Sequence, residues 1–238
     1  MTEQPNEAAR TEDFEFESLR LAENYRRALV QEFADELRGR VLEVGSGIGQ
    51  MTSLLRELPA VELLECVEPS ADFCAEFSRD HPTIPLVQGT AADVPSGTDW
   101  NAIISINVLE HIRDHELELA QYRQLLAKKK GRLCLFVPAR PEIYAPIDRD
   151  FGHHRRYTHA NLKTALTAAV FEIVRLVYFN SLGYLAWWFT FCLLKRRHFD
   201  PRSVLLYDRV IFPVVHFLEH SVVRPPLGQS LLAVAQAR

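Results

Sequence analysis

Residues 41–52 read VLEVGSGIGQMT, and this stretch decides the fold. The apolar run 41–44 predicts a short buried strand, three alternate glycines follow it, and a helical pattern begins at about Gln50. Glycine adopts the positive φ angles of a tight turn and lets a ligand approach the backbone closely. The stretch therefore predicts a strand, a glycine-rich turn and a helix, with a ligand bound at the turn.

Strand-like and helix-like segments alternate on either side of this turn. Short apolar segments with the pattern of strands occur at residues 41–44, 61–67, 84–87, 102–106, 132–137, 171–178 and 230–235. Strands that alternate with amphipathic helices are typical of a parallel sheet covered on both faces. We therefore predict a Rossmann-like, doubly wound α/β fold with a mostly parallel seven-stranded sheet and a helical insertion before the last strand.

Composition divides the chain into a leader and one domain. Residues 1–13 are polar and predict a flexible leader, and helical patterns run through residues 14–37 and 110–128. Residues 14–238 then predict a single domain. Within that domain, residues 138–157 predict a polar loop beside the site, and the aromatic segment 181–225 predicts a helical insertion on the substrate side.

Charge and cysteine content exclude several classes of protein. A net charge of −4 argues against a protein that coats nucleic acid, so no nucleic-acid partner is expected. The four cysteines form no Cys-x-x-Cys pair, so we expect neither disulfides nor a metal site. The start of the chain lacks a signal-peptide core, and the longest apolar run, 182–194, is too short to span a bilayer. These features predict a cytoplasmic protein.

Two acidic residues follow strands next to the predicted turn. Glu68 ends the second strand 23 residues after Gly45, close to the roughly 20-residue offset at which a carboxylate binds a ribose diol. Asp93 follows the third strand, where a carboxylate could accept a bond from an adenine amino group. Each acid alone could be a solvated surface charge. Ligands of open α/β sheets bind at the carboxyl ends of strands, so the two acids together predict a nucleoside-type cofactor.

These residues resemble the class I S-adenosylmethionine-dependent methyltransferases, and within them a type 11-like group of bacterial small-molecule methyltransferases. Residues 43–49 resemble the family's first motif, residues 105–111 resemble its fourth-strand motif, and ENYRRAL and GHHRRYT resemble stretches of the bacterial group. The resemblance covers roughly residues 20–180 and the last strand. It implies S-adenosylmethionine as cofactor, held by Tyr25, Glu43, Gly45, Gly47, Gly49, Glu68, Pro69, Asp93 and Asn107.

The implied chemistry is an in-line displacement that needs a base only if the acceptor is protonated. The candidate bases are His111, His153 and His154, and the candidate acceptor-binding residues are Arg155, Arg156, Tyr157 and Trp187. Plainer roles remain open for several of these residues. The arginines could pair with Asp148 and Asp150, His111 could cap a helix, and Tyr25 could pack the first helix onto the sheet.

The predicted activity is methyl transfer to an O or N atom of a small molecule that is anionic or partly apolar. The aromatic insertion with its basic cluster at 195–197 leaves open an acceptor that is lipid-linked or membrane-associated, a membrane-surface partner, or a homodimer interface. A nucleotide-dependent oxidoreductase is disfavoured because the glycines are spaced G-x-G-x-G, not G-x-G-x-x-G. A non-catalytic cofactor-binding module is disfavoured by the intact glycine turn, Glu68 and Asp93.

Overall fold

The computed structural model describes residues 20–95, 97–221 and 225–238, so the leader predicted at 1–13 lies outside the described residues. Seven strands form one sheet: β1 (Gly39–Val44), β2 (Val61–Glu68), β3 (Leu86–Gln88), β4 (Ala102–Ile106), β5 (Arg132–Pro138), β6 (Phe171–Phe179) and β7 (Ser230–Ala237). Their order is β3-β2-β1-β4-β5-β7-β6. Strand β7 runs antiparallel to both β5 and β6, and the other pairs are parallel. The predicted Rossmann-like, mostly parallel seven-stranded fold is confirmed.

Helices cover both faces of this sheet. They are α1 (Glu23–Phe33), α2 (Gln50–Leu55), α3 (Ala71–Asp80), α4 (His115–Leu126), α5 (Pro146–Asp150), α6 (His159–Ala168), α7 (Ser181–Trp187), α8 (Pro201–Leu206) and α9 (Phe212–Ser221). The alternation of side chains along β5 shows the two cores. Leu133 and Leu135 face the core covered by α4 and α6, while Cys134 and Phe136 face the core covered by α1, α2 and α3.

Two predicted helix boundaries are wrong for local reasons. Helix α1 ends at Phe33, before the predicted end at 37, and the backbone N–H of Gly39 already donates to Ala60 O in the first rung beside β2. The helix predicted from 110 begins only at His115, because the side chain of Asp114 caps it by accepting from the N–H of Leu117 at 3.1 Å. His111 therefore lies in a separate 3-10 turn, Leu109–His111, and does not cap α4.

Residues 138–157 form a packed segment, not the polar loop that the sequence predicts. The segment contains the 3-10 turn Pro141–Ile143 and helix α5, and its side chains Ile143, Ile147 and Phe151 are buried. These side chains pack against Trp187 and Phe191 from the next helical segment. The segment is thus held between the sheet and the insertion.

The insertion is a helical hairpin above the carboxyl ends of the strands. Helix α7 continues as a π-helical turn, Trp188–Leu193, and α8 joins α9 through a second π-helical turn, Tyr207–Ile211. Glu219 near the end of α9 accepts from the N–H of Ser181 at 2.7 Å, so the two arms of the hairpin run antiparallel. Within the part of the chain that the structure describes, every helix is too short or too polar to cross a bilayer.

Candidate active site

Two cavities meet where the strand order reverses, between β1 and β4. The glycine-loop cavity, of about 280 Å³, is lined by Glu43, Gly45, Ser46, Glu68, Pro69 and neighbouring residues. The insertion cavity, of about 320 Å³, lies under the helical hairpin and is lined by Phe151, Trp187, Phe191, Phe199, Tyr207 and their neighbours. Tyr25 and Asn107 line both cavities. Open α/β sheets bind ligands at this reversal point, so the pair of cavities is the candidate active site.

The turn between β1 and α2 and the end of β2 are joined by one carboxylate. The backbone N–H of Gly47 donates to Glu68 Oε2 at 2.9 Å, and the N–H of Ser70 donates to Oε1 at 2.9 Å. Gly45 has φ +74, and a Cβ there would lie 2.3 Å from Val108 Cγ2. The turn has no room for a Cβ at Gly45, and the Glu68 carboxylate lies against it. Both features fit the adenosyl group of the cofactor that the sequence predicts.

Glu43 closes the inner end of the glycine-loop cavity. Its carboxyl accepts a hydrogen bond of 2.6 Å from Thr52 Oγ1, and the thiol of Cys66 lies 3.5 Å away. Burial raises the pKa of Glu43 to about 7, and the bonds from Thr52 and Cys66 only partly oppose this shift. The hydrogen bond between Glu43 in β1 and Thr52 in α2 joins the two elements on either side of the turn.

Three predicted cofactor residues lie beside this cavity, outside its described lining. Gly47 contributes through its bond to Glu68. Gly49 has φ +89, and a Cβ there would lie 2.3 Å from the ring of His81, so packing explains this glycine. Asp93 is exposed and accepts from the N–H and Oγ1 of Thr90 at 2.8 and 3.0 Å, which lowers its pKa. A contact from Asp93 to adenine stays a prediction.

Tyr25 packs between the two cavities. Its ring makes edge contacts with Phe179 and Phe136, with centroids 5.4 and 6.3 Å apart, and burial raises the pKa of its hydroxyl. The start of α1 is fixed to the insertion because Asp208 accepts from the N–H of Tyr25 at 2.9 Å and from the N–H of Asn24 at 3.1 Å. Tyr25 thus packs α1 onto the sheet, which is the plainer interpretation of the sequence, and it also lines the glycine-loop cavity.

The three candidate histidines have different surroundings. His111 lines the glycine-loop cavity and His153 lines the insertion cavity, with ring centroids 4.7 Å apart. Burial lowers the pKa of both, to about 3 for His111, so both imidazoles are neutral at pH 7. His154 is exposed and borders neither described cavity. Its backbone N–H donates to Glu110 O at 2.8 Å.

Two of the four predicted acceptor-binding residues line the insertion cavity, and the other two do not. Arg156 and Trp187 line the insertion cavity, and the guanidinium of Arg156 lies 4.4 Å from the Trp187 ring centroid. Arg156 Nε is also paired with Asp148 at 2.8 Å, as the plainer reading of the sequence has it. Arg155 donates to Arg113 O at 2.7 Å, and buried Tyr157 is within hydrogen-bond distance of His115 Nδ1 at 3.1 Å. Arg155 and Tyr157 thus border neither described cavity, and a direct acceptor contact from either stays a prediction.

Two polar residues that the sequence does not indicate as site residues, Asp148 and Asn180, organise the insertion cavity. Asp148 is fully buried and accepts from the N–H of Ala145 at 2.8 Å as well as from Arg156. Asn180 has φ +62, caps α7 through Gly183 N–H at 3.0 Å, and accepts a 2.5 Å bond from Tyr207. Asparagine tolerates this left-handed conformation, but a lone Asn-Ser pair in the sequence does not predict it. The sequence indicates only one role for Asp148, as a partner of an arginine.

The fold and the two joined cavities define an α/β protein with a ligand site at the reversal point of its sheet. Comparison with known protein families identifies the class to which the protein belongs. Residues 15–176 match the family described as "Methyltransferase domain", and the chain belongs to this family. The resemblance to class I S-adenosylmethionine-dependent methyltransferases is therefore confirmed, and the protein is an enzyme of this class.

Solved structures have the same fold at low sequence identity. A chain from the complex of the Haloferax volcanii Trm112 methyltransferase activator with a methyltransferase is 13% identical, covers 99% of both chains and has a TM-score of 0.65. A Bacillus halodurans methyltransferase is 21% identical over 88% of this chain and 96% of its own, with a TM-score of 0.58. An S-adenosylmethionine-dependent methyltransferase from Archaeoglobus fulgidus is 17% identical over 88% and 92%, also at 0.58. No curated protein matches the sequence at a significant level.

Proposed function

We propose that the chain transfers the methyl group of S-adenosylmethionine to an O or N atom of a small molecule held in the insertion cavity. The observation that carries this proposal is the junction of the two cavities at Tyr25 and Asn107. A cofactor in the glycine-loop cavity supplies a methyl group on a sulfonium sulfur. An acceptor under the insertion would reach it through this junction. In this proposal residues 14–238 act as one domain, with 138–157 and 181–225 forming its acceptor side.

The walls of the insertion cavity favour an acceptor that is partly apolar. Phe151, Trp187, Phe191 and Phe199 provide aromatic surface, and Asn180, Ser203 and Gln229 add polar groups. Exposed Arg196 also lines the cavity and could pair with an anionic group of the acceptor. The four cysteines are unpaired, which supports a reducing compartment, and we place the reaction in the cytoplasm.

Two adjacent tryptophans provide a matched test of the acceptor side. Trp187 lines the cavity and is 7% exposed, whereas Trp188 is 46% exposed. Candidate acceptors can be found by screening amphipathic hydroxyl and amine compounds against the chain saturated with S-adenosylhomocysteine. We expect Trp187→Phe to raise the KM for an acceptor and Trp188→Phe to leave it unchanged, with cofactor affinity kept in both. An unchanged KM in Trp187→Phe would place the acceptor elsewhere.

A second candidate is an acceptor carried by a membrane, and exposed apolar side chains on the insertion favour it. Large apolar residues more than 45% exposed follow one another at helical spacing on both arms: Leu185, Trp188, Phe189, Leu193, Leu194, Leu206, Val210, Val214, Phe217 and Leu218. Opposite faces of the same arms bury Trp187, Phe191 and Phe212. Both arms of the hairpin therefore have an apolar outer face as well as an apolar inner face.

The charge of the insertion favours an anionic lipid surface as the partner of this outer face. Between residues 181 and 221 there are five Lys and Arg and three Asp and Glu, in a chain whose net charge is −4. One of the three acids, Asp208, is buried, so the net charge of the exposed residues of the insertion is more positive than these counts give. Exposed Lys195 and Arg196 directly follow the apolar residues of the first arm. Apolar side chains beside cations are typical of helices that lie in the interface of an anionic bilayer.

Flotation with vesicles tests this candidate. We expect the chain to float with phosphatidylserine-containing vesicles, less so at high salt, and not with pure phosphatidylcholine. The double variant Val210→Ser with Phe217→Ser should lose flotation, and Leu117→Ser, which removes a 56% exposed leucine from α4, should keep it. If wild type does not float, the membrane candidate is wrong. If sedimentation then shows a dimer that the double variant dissociates, the outer face is a homodimer interface.

A further inference from the structure

Three potential metal ligands come together at the boundary of the two cavities. Glu110 and His111 lie in the 3-10 turn after β4, and His153 lies in the segment after α5. One ligand atom from each lies within 4.8 Å of the others. Glu110 is fully buried and His153 is 7% exposed. The cysteines of the sequence predict no metal site, whereas this group joins a carboxylate and two histidines from two distant segments.

Each imidazole of the cluster is oriented by a hydrogen bond through one of its nitrogens. Asp148 Oδ1 lies 3.1 Å from His153 Nδ1, which leaves Nε2 directed toward Glu110 Oε1 at 3.9 Å. His153 Nε2 is buried and has no hydrogen-bond partner among the described residues. The ring of His111 donates a hydrogen bond to the backbone carbonyl of Phe151. A carboxylate or carbonyl behind each ring is the arrangement that fixes metal-binding histidines in proteins.

We propose that Glu110, His111 and His153 together bind one divalent transition-metal cation, for which Zn²⁺ is the appropriate probe. Two imidazole nitrogens and one carboxylate suit Zn²⁺ or Fe²⁺ better than Mg²⁺ or Ca²⁺, which prefer oxygen ligands. A tetrahedral zinc ion holds its ligand atoms about 3.3 Å apart, so the 3.9 Å between Nε2 and Oε1 requires only a small side-chain rotation. Three protein ligands leave a position open.

The open position gives the cation a role that rests on the proposed methyl transfer. Because His111 lines the glycine-loop cavity and His153 the insertion cavity, the cation lies in the wall between methyl donor and acceptor. An acceptor hydroxyl bound to it loses its proton to solvent water more readily. The oxygen electron pair then forms the new bond to the methyl carbon, and the carbon–sulfur bond breaks with its electron pair kept by sulfur. The inference thus specifies a hydroxylated acceptor.

Metal titration of the intact chain tests the site without any acceptor. After dialysis against a chelator, we expect one Zn²⁺ per chain by calorimetry, and Co²⁺ should give visible absorption bands of nitrogen ligation. Glu110→Gln and His153→Gln should lose these bands, and Asp148→Asn should weaken binding about 10–100-fold by releasing the His153 ring. His159→Gln, which removes an exposed imidazole in α6, is the control and should bind as wild type does.

Two results would overturn the site. One is a wild-type chain that binds neither Zn²⁺ nor Co²⁺, and the other is folded Glu110→Gln and His153→Gln variants with wild-type affinity. If circular dichroism shows that these variants do not fold, X-ray absorption of the wild-type Co²⁺ complex decides, and a spectrum without imidazole scattering refutes the proposal. A chain that binds S-adenosylhomocysteine but no metal refutes only the cation. Loss of S-adenosylhomocysteine binding refutes the proposed function.

Discussion

At the scale of single residues, Glu43 shows how a buried acid can make stability depend on pH. Its side chain is 5% exposed, and burial raises its pKa from an ordinary 4.5 to about 7. The protonated carboxyl is therefore the form that the folded chain prefers. The unfolded chain releases this proton near the ordinary value, so the native state binds more protons than the unfolded state between these two pH values.

We expect the free energy of unfolding to fall as pH rises from about 4.5 to 7 because of this one group. Glu43→Gln keeps a neutral side chain that can still accept a hydrogen bond from the Thr52 hydroxyl. The fall in the free energy of unfolding over this pH range should therefore be smaller by about 3 kcal/mol in this variant than in wild type. Urea denaturation at the two ends of this pH range, without cofactor, measures the difference. Exposed Glu62→Gln on β2 is the control and should follow wild type. An unchanged pH dependence in Glu43→Gln would show that Glu43 is ionised in the folded protein.

At the scale of elements, the segment 138–157 shows why the insertion cavity is hard to predict. Its sequence is rich in charged residues, which is typical of an exposed loop. Its structure instead buries Asp148 and pairs it with Arg156, while the Trp187 indole donates to Ile143 O at 3.1 Å. Trp187 belongs to the insertion, so no local pattern indicates its contact with this segment, and the sequence leaves open whether Asp148 pairs with an arginine. The same holds for Glu110, whose neighbour His153 follows α5.

Adjacent arginines of this segment should differ sharply in their effect on stability. Arg156 and Asp148 have side chains 1% and 0% exposed, and removing one partner of such a buried pair costs about 3–5 kcal/mol. We therefore expect Arg156→Ala to lower the free energy of unfolding by about that amount. Arg155→Ala should change it by less than about 1.5 kcal/mol, because this half-buried side chain hydrogen-bonds neutral groups, Arg113 O and the Tyr157 hydroxyl, and not a buried carboxylate. Equal effects in urea denaturation would contradict the pairing.

The two arms of the insertion show a second limit of sequence patterns. Helical periodicity identifies a face only when the opposite face is polar. Here Trp187 is buried and its neighbour Trp188 is exposed, and both belong to apolar stripes. The sequence predicts helices and an aromatic surface, but it does not indicate which stripe packs over the site. The π-helical turns at Trp188–Leu193 and Tyr207–Ile211 shift the register further.

At the scale of the whole molecule, the sheet and the position of the glycine-loop cavity could be predicted because their signals are local. Each strand is a short apolar run, and β4 has the bounds that the sequence predicts, Ala102–Ile106. The glycine turn and Glu68 follow strands directly, so the topology of the sheet brings them together without further information. The insertion cavity depends on contacts between the insertion, segment 138–157 and α1, and those contacts are set by tertiary packing alone.

The central claim is that the glycine-loop cavity binds S-adenosylmethionine through the carboxylate of Glu68. Calorimetry with S-adenosylhomocysteine tests it most directly. We predict one molecule bound per wild-type chain, no binding of NADH, and a loss of about 1.5–3 kcal/mol of binding free energy in Glu68→Ala, whereas exposed Glu62→Ala keeps wild-type affinity. A folded wild-type chain that binds NADH but not S-adenosylhomocysteine, or a Glu68→Ala variant with unchanged affinity, would contradict the account.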